Sequence, residues 1–183
     1  IPDHRTAITL IMGMLMNAQS VDHDLSTIEG IGHRIVHGGV YFDRSVLVDD
    51  EVVATIEKLS PLAPLHNPAA CSVIQACRDI MPNVPNVTTF DTAFHSTIPQ
   101  FAHVYPIPYS YYEIDKIRKY GAHGTSHRYV SKVAADFLGR DLADLKMITA
   151  HVGNGASLCA VKGGISVDTT MGFTPLDGLM MGT

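Results

Sequence analysis

The sequence predicts a mixed α/β fold. Segments with helical spacing alternate with short apolar runs as far as about residue 146. Beyond it, three strand-like runs follow one another through glycine turns. A hydrophobic content of 46% is that of a globular protein with a core to bury. The change of pattern near 146–148 is the expected boundary, giving one domain over 1–147 and the start of a second over 148–183.

Residues 3–18 read as a helix with Ile8, Ile11 and Leu15 on one face. Gly30–Val36 reads as a strand entering a Gly38-Gly39 turn, and Ser45–Val48 as a second short strand. Asp49 or Asp50 can cap a helix reaching Leu59, with Val52, Val53, Ile56 and Leu59 at core spacing. Ser60–His66 is a proline-set connector, and Asn67-Pro68 supplies a cap and a first-turn proline for a helix to about Ile80. Asn86–Phe90 is a strand, Asp91–His95 a loop at its C-terminal end, and Ser110–Lys116 a short helix. Tyr120–His127 is a loop running into a helix that stops at Gly139. Strands are expected at 147–151, 157–161 and 164–168, the last pair joined through Lys162-Gly163-Gly164.

Composition narrows the function classes. Thirteen basic against 18 acidic residues give a net charge of −5 with no basic block, which argues against a nucleic-acid partner. No apolar run approaches the roughly 18 residues that span a bilayer. Ala7–Met16, broken by Thr9 and Gly13, suits a core helix better than a signal peptide. Cys71, Cys77 and Cys159 make no CxxC pair and read as reduced thiols, consistent with a cytoplasmic protein.

The candidate chemistry sits in loops. Met147–Ala150 reads as a short buried strand delivering His151-Val-Gly-Asn-Gly-Ala-Ser157, followed by the apolar Leu158–Val161. Strand, Gly-x-Gly turn and strand can bare backbone amides to a polyphosphate. Arg34, beside Gly32 and Val36 on one strand face, could hold carboxylate or phosphate oxygens next to an apolar group; a surface arginine near a turn is the plainer alternative. Asp91 follows a strand directly, where open α/β sheets place ligand-contacting groups, although a turn or capping aspartate would occupy the same place. His123, between Gly121 and Gly124, could donate to charge developing on a phosphoryl group. Its spacing to His127 is that of a zinc pair, but the glutamate of His-Glu-x-x-His is missing, and His127 reads as a structural helix residue. His66 follows the proline connector beside Leu65, a possible pocket residue, whereas His33, His37 and His95 read as satisfied loop or core histidines. No Walker A motif is present.

Six segments together resemble the acetate kinase family. They are Gly32-His-Arg-Ile-Val-His-Gly-Gly39, Pro61-Leu-Ala-Pro-Leu-His-Asn-Pro68, Phe90-Asp-Thr-Ala-Phe-His95, Tyr120-Gly-Ala-His-Gly-Thr-Ser-His-Arg-Tyr129, His151-Val-Gly-Asn-Gly-Ala-Ser157 and Asp168-Thr-Thr-Met-Gly-Phe-Thr-Pro-Leu-Asp-Gly178. The resemblance implies the ribonuclease H-like fold of the acetate and sugar kinase, Hsp70 and actin superfamily. It also implies reversible transfer of the ATP γ-phosphoryl group to acetate, giving acetyl phosphate and ADP. In those terms Asp91, His123 and Arg34 are catalytic, and Arg34 also binds substrate. Val36, Leu65 and Pro175 form the pocket for the acetate methyl, with His66 beside it, and His151, Val152, Gly153, Asn154 and Gly155 contact ATP. Ala122 stands where some family members carry phenylalanine, implying a more open pocket wall. Mg2+ is the implied cofactor, with its ligands outside this chain, and a homodimer is the implied assembly of the full-length protein.

The resemblance further implies that the chain is an internal piece. A first strand with an Asn and Ser phosphate motif is expected before Ile1, and a second charge-stabilising arginine directly after Thr183. An arginine of that kind can be worth about 10³–10⁵ in rate, so the piece alone is expected to be almost inactive. A propionate or butyrate kinase remains open. So does a non-catalytic ATP-binding module of the Hsp70 and actin type, against which Arg34, Asp91 and His123 argue. A His-dependent metallohydrolase ranks last.

Overall fold

The strand expected over Gly30–Val36 forms as β1 (Ile31–Ile35) in a computed structural model that describes residues 3–17 and 27–182, without the side chains of 15–17. The expected helix end at Ala18, the part of Leu15 in its apolar face, and Thr183 lie outside the described residues. The elements in chain order are α1 (His4–Asn17), β1, β2 (Val46–Leu47), α2 (Asp50–Lys58), α3 (Asn67–Ile80), β3 (Asn86–Phe90), α4 (Gln100–His103), α5 (Ser110–Glu113), α6 (Gly124–Leu138), β4 (Lys146–Val152), β5 (Ala156–Lys162) and β6 (Ile165–Thr169); α4 is additional to those expected, and α6 begins inside the expected Tyr120–His127 loop. Short 3₁₀ turns occupy Ser60–Leu62, Ala93–Thr97 and Leu142–Asp144.

The chain divides into two compact units, one of residues 1–35 and 45–89, the other of 36–44 and 90–183. In the first, the sheet order is β1-β3-β2, with β2 antiparallel to β3. Asp49 caps α2, its carboxylate accepting the Val52 amide, and Ile56 and Leu59 are buried as their spacing requires. His66 stands at the cap position of α3, and Asn67, expected there, instead begins the helix. The Asn67 side chain is buried, its amide donating to the Ile56 carbonyl of the preceding helix at 3.3 Å. In β1, Ile35 is buried while Gly32 and Arg34 lie on the exposed face, and α3 packs against the strand.

The second unit is built on the sheet β4-β5-β6, antiparallel throughout. Gly163 and Gly164, with φ of 59° and 81°, make the two-residue β5–β6 turn; two successive positive φ values are what such a hairpin demands and what glycine accepts. Gly139, with φ 62°, ends α6. A second expectation is also corrected: the strand around Met147–Ala150 is not buried. β4 is an edge strand with Thr149 buried and Ile148 77% exposed. α6 packs against β4, and the strand's twofold alternation leaves Ile148, Ala150 and Val152 exposed. Residues 36–44 belong to this unit because Phe42 stacks on Phe90 at 4.2 Å and the Gly38 amide donates to Thr92 Oγ1 at 2.9 Å.

Candidate active site

At the end of β3 the backbone delivers Asp91 fully buried. A buried carboxylate needs hydrogen bonds to remain charged. Thr125, in the first turn of α6, supplies one by donating its hydroxyl to Asp91 Oδ1 at 2.7 Å. The Gly124 amide donates to the Asp91 carbonyl at 2.9 Å, and a Cβ at residue 124 would collide with that same oxygen and lie 2.9 Å from Phe94 Cβ. Only glycine lets the helix start this close to the strand end.

His123 occupies the cap position of α6 with φ 59° and ψ 17°, a left-handed conformation unusual for a residue with a side chain. That backbone turns its ring onto the start of the β4–β5 turn. The rings of His123 and His151 stack 4.0 Å apart, 20° from parallel. A Cβ added to Gly155 would lie 3.0 Å from His123 Nε2, so the glycine turn passes close to that nitrogen. His151, half-buried at the end of β4, has Nδ1 3.0 Å from Ser126 Oγ, while Val152, Gly153 and Asn154 are exposed. The structure therefore gathers Asp91, His123 and the His151–Gly155 turn around the N-terminus of α6.

Two of the surrounding histidines, His95 and His127, have both ring nitrogens hydrogen-bonded. His95 is fully buried; its Nε2–H donates to the Ala122 carbonyl at 2.9 Å and its Nδ1 accepts from Ser166 Oγ at 2.8 Å. Burial holds its pKa below the ordinary value, against the raising effect of the Ala122 carbonyl. Ala122 is itself buried. His127, also buried, bonds Thr149 Oγ1 and Ser157 Oγ at 2.8 Å each. Burial first, then the neighbouring His95, His123 and His151, push its pKa down to about 4, so the ring is neutral near pH 7. His37, in edge contact with Tyr120, is likewise lowered to about 4 by burial.

The other site residues named from the sequence are distributed over both units. Arg34, Leu65 and His66 belong to the first, Leu65 being 85% exposed and the other two also exposed. Val36, half-buried, and Pro175, exposed, belong to the second. Pro175 lies in a segment anchored by Tyr105, whose hydroxyl accepts the Phe173 amide at 2.7 Å and donates to Asp177 at 2.9 Å.

Sequence reasoning missed Arg118. Its guanidinium lies 5.4 Å from the Tyr120 ring centroid and lines a cavity with Val40, Phe42, Thr92 and Tyr120. Burial lowers its pKa. In sequence it is one of three basic residues in Lys116-Ile-Arg-Lys119, and nothing local singles it out. Among the described residues no cluster of three or more His, Cys, Asp or Glu side chains is arranged to hold a metal ion, and no helix is long and apolar enough to cross a membrane.

The chain is similar to acetate kinases along its whole length. It is 60% identical to acetate kinase of Thermotoga maritima over 184 residues, covering 100% of this chain and 46% of that protein. Its fold matches the crystal structure of Porphyromonas gingivalis acetate kinase with a TM-score of 0.94 at 43% identity, covering 100% of this chain and 46% of that one. It matches a propionate kinase from Francisella tularensis with a TM-score of 0.90 at 47% identity, covering 98% and 45%. The α/β fold is thus the acetate and propionate kinase fold, and the chain spans about half the length of the relatives it matches. With the family's model matched over residues 1–183, the chain belongs to the acetokinase family.

Proposed function

We propose that the protein containing this chain is an acetate kinase, transferring the γ-phosphoryl group of ATP directly and in line to acetate. The observation that carries the reading is the convergence of a buried, hydrogen-bonded Asp91 with His123 and the glycine turn at the start of α6. Such a transfer asks a protein for positioning and charge stabilisation more than for covalent chemistry. Acetate is ionised at pH 7 and needs no general base, so Asp91 acts by orienting groups around the transferred phosphoryl rather than by taking a proton. His123 donates a hydrogen bond to the charge that builds on the phosphoryl oxygens. The His151–Gly155 turn carries the ATP phosphates on its backbone amides. In the first unit Arg34 grips acetate or phosphoryl oxygens, with Leu65 and His66 as further substrate contacts. In the second unit Val36 and Pro175 offer apolar contacts to the substrate.

Mg2+ enters with the nucleotide and neutralises phosphate charge when bound. No cluster of three or more His, Cys, Asp or Glu side chains among the described residues is arranged to hold it. The whole protein works in the cytoplasm as a homodimer, with residues 148–183 opening its nucleotide-binding domain, and it engages neither nucleic acid nor membrane.

The test is formation of acyl hydroxamate by the intact protein with ATP, Mg2+, hydroxylamine and acetate, propionate or butyrate in turn. Acetate is expected to give the highest kcat/KM. An apolar pocket discriminates against one extra methylene by only about 10- to 200-fold, so propionate should react more slowly but measurably. A preference for propionate or butyrate would move the protein to that specificity. Slow ATP hydrolysis with no hydroxamate would favour the ATP-binding module.

A further inference from the structure

Thr149, His127, Ser157 and His123 form an unbroken hydrogen-bonded chain. Thr149 Oγ1 lies 2.8 Å from His127 Nδ1, His127 Nε2 lies 2.8 Å from Ser157 Oγ, and Ser157 Oγ lies 2.9 Å from His123 Nδ1. The first three residues are 4%, 1% and 0% exposed, so water does not compete for these contacts. The direction of every proton then follows from the far end. The Thr149 hydroxyl has His127 Nδ1 as its one hydrogen-bond partner among the described residues, and a buried O–H aimed elsewhere would be an unmet donor. It therefore donates to Nδ1. His127 is neutral, its pKa lowered to about 4 chiefly by burial, so its single N–H is on Nε2 and donates to Ser157 Oγ. The Ser157 hydroxyl proton is thereby turned toward His123, whose Nδ1 accepts it.

We propose that Thr149, His127 and Ser157 are positioning residues that lock His123 in the tautomer carrying its proton on Nε2, the nitrogen beside Gly155. The arrangement has a chemical purpose. A neutral imidazole with a lone pair at Nε2 would repel phosphoryl oxygens, whereas an N–H there donates to them. Stacking on His151 holds the ring plane but cannot choose between tautomers; the hydroxyl of Ser157 does that. The mechanistic part rests on the reading of His123 as the group that stabilises phosphoryl charge. The tautomer itself does not.

The test combines nitrogen-15 NMR of the His123 ring with kinetics on the intact protein. At about pH 8, where an unperturbed histidine is neutral, the wild type should show a protonated Nε2 and a bare, hydrogen-bonded Nδ1. Ser157→Ala should populate both tautomers and lower kcat roughly tenfold, less than the ~10²–10³ for removing a donor outright, with KM for ATP and acetate held within about threefold. Thr149→Val should move the His123 ring signals in the same direction, and Thr149→Ser, which restores the hydroxyl, should return them to the wild-type pattern. If Ser157→Ala does not fold, the Thr149 pair makes the same comparison. A wild-type His123 protonated on Nδ1, or variants that lose stability without moving the ring signals, would overturn the proposal. Ring signals as expected in a protein that forms no acyl phosphate would support the tautomer lock and overturn the kinase reading.

Discussion

The hydroxyl of Thr125 donates to Asp91 Oδ1 at 2.7 Å while the amide of its neighbour Gly124 donates to the Asp91 carbonyl at 2.9 Å. Two groups at the start of α6 thus hold Asp91 where it follows β3, and the geometry proposed for catalysis depends on that hold. Asp91→Asn keeps the shape and an oxygen for Thr125 but removes the charge. It should lower kcat for acyl phosphate formation by about 10²-fold or more while leaving the unfolding transition within about 1 kcal/mol of wild type. Steady-state kinetics and urea denaturation of the same preparation check both halves.

Gly155→Ala probes the proximity of the turn to His123. The new methyl group would sit 3.0 Å from Nε2, closer than carbon and nitrogen comfortably approach, and the ring must yield. The turn is solvent-facing, so the stability cost should be under about 1 kcal/mol. The kcat should nevertheless fall at least tenfold if His123 acts as proposed, since small displacements of a group that stabilises developing charge are costly. Equal activity in the variant would mean that His123 does not work against this turn.

Arg34→Lys tests whether a fork of donors, rather than a positive charge, is required on β1. Lysine keeps the charge but cannot grip two oxygens at once. The side chain is exposed, so the fold should be unaffected, while KM for acetate rises and kcat/KM falls by roughly 10²-fold. An unchanged kcat/KM would return Arg34 to the role of a surface arginine.

Acid should destabilise the protein before its carboxylates titrate. His127 and His37 are each held near a pKa of about 4, in both cases chiefly by burial, against an ordinary 6.5. Between those values the unfolded chain binds protons that the folded chain does not, so stability is full above about pH 6.5 and falls as the pH drops toward 4. Below about 4 both states are protonated and this contribution flattens. The difference corresponds to roughly 3 kcal/mol for each group. Unfolding free energies from pH 7 to 4 should show this slope, and His127→Gln should make it shallower at the cost of stability at pH 7.

Much of this was legible locally. The Asp49 cap, the stop at Gly139 and the Gly163-Gly164 turn are short-range chemistry, written in two or three residues each. The exposure of β4 is not visible in Met147-Ile-Thr-Ala150, which carries no clear polar alternation; exposure of Ile148 is decided by which face α6 covers. Residues 36–44 join the second unit through Phe42 and Gly38, contacts made across about 50 positions that no local pattern announces. At the site, Asp91 stands out by its place directly after a strand, and His123 by its position between Gly121 and Gly124. Ser157 and Thr149 did not, since their importance lies in hydrogen bonds to histidines 22 to 34 positions away.

The most direct test of the account is the rate of acyl phosphate formation from ATP and acetate by the intact protein and its His123→Ala variant. The expected result is robust formation by the wild type and a loss of at least about 10²-fold in kcat for the variant, with KM for acetate changed by no more than a few-fold. A variant with wild-type kcat, or a wild type that hydrolyses ATP without forming acyl phosphate, would contradict it.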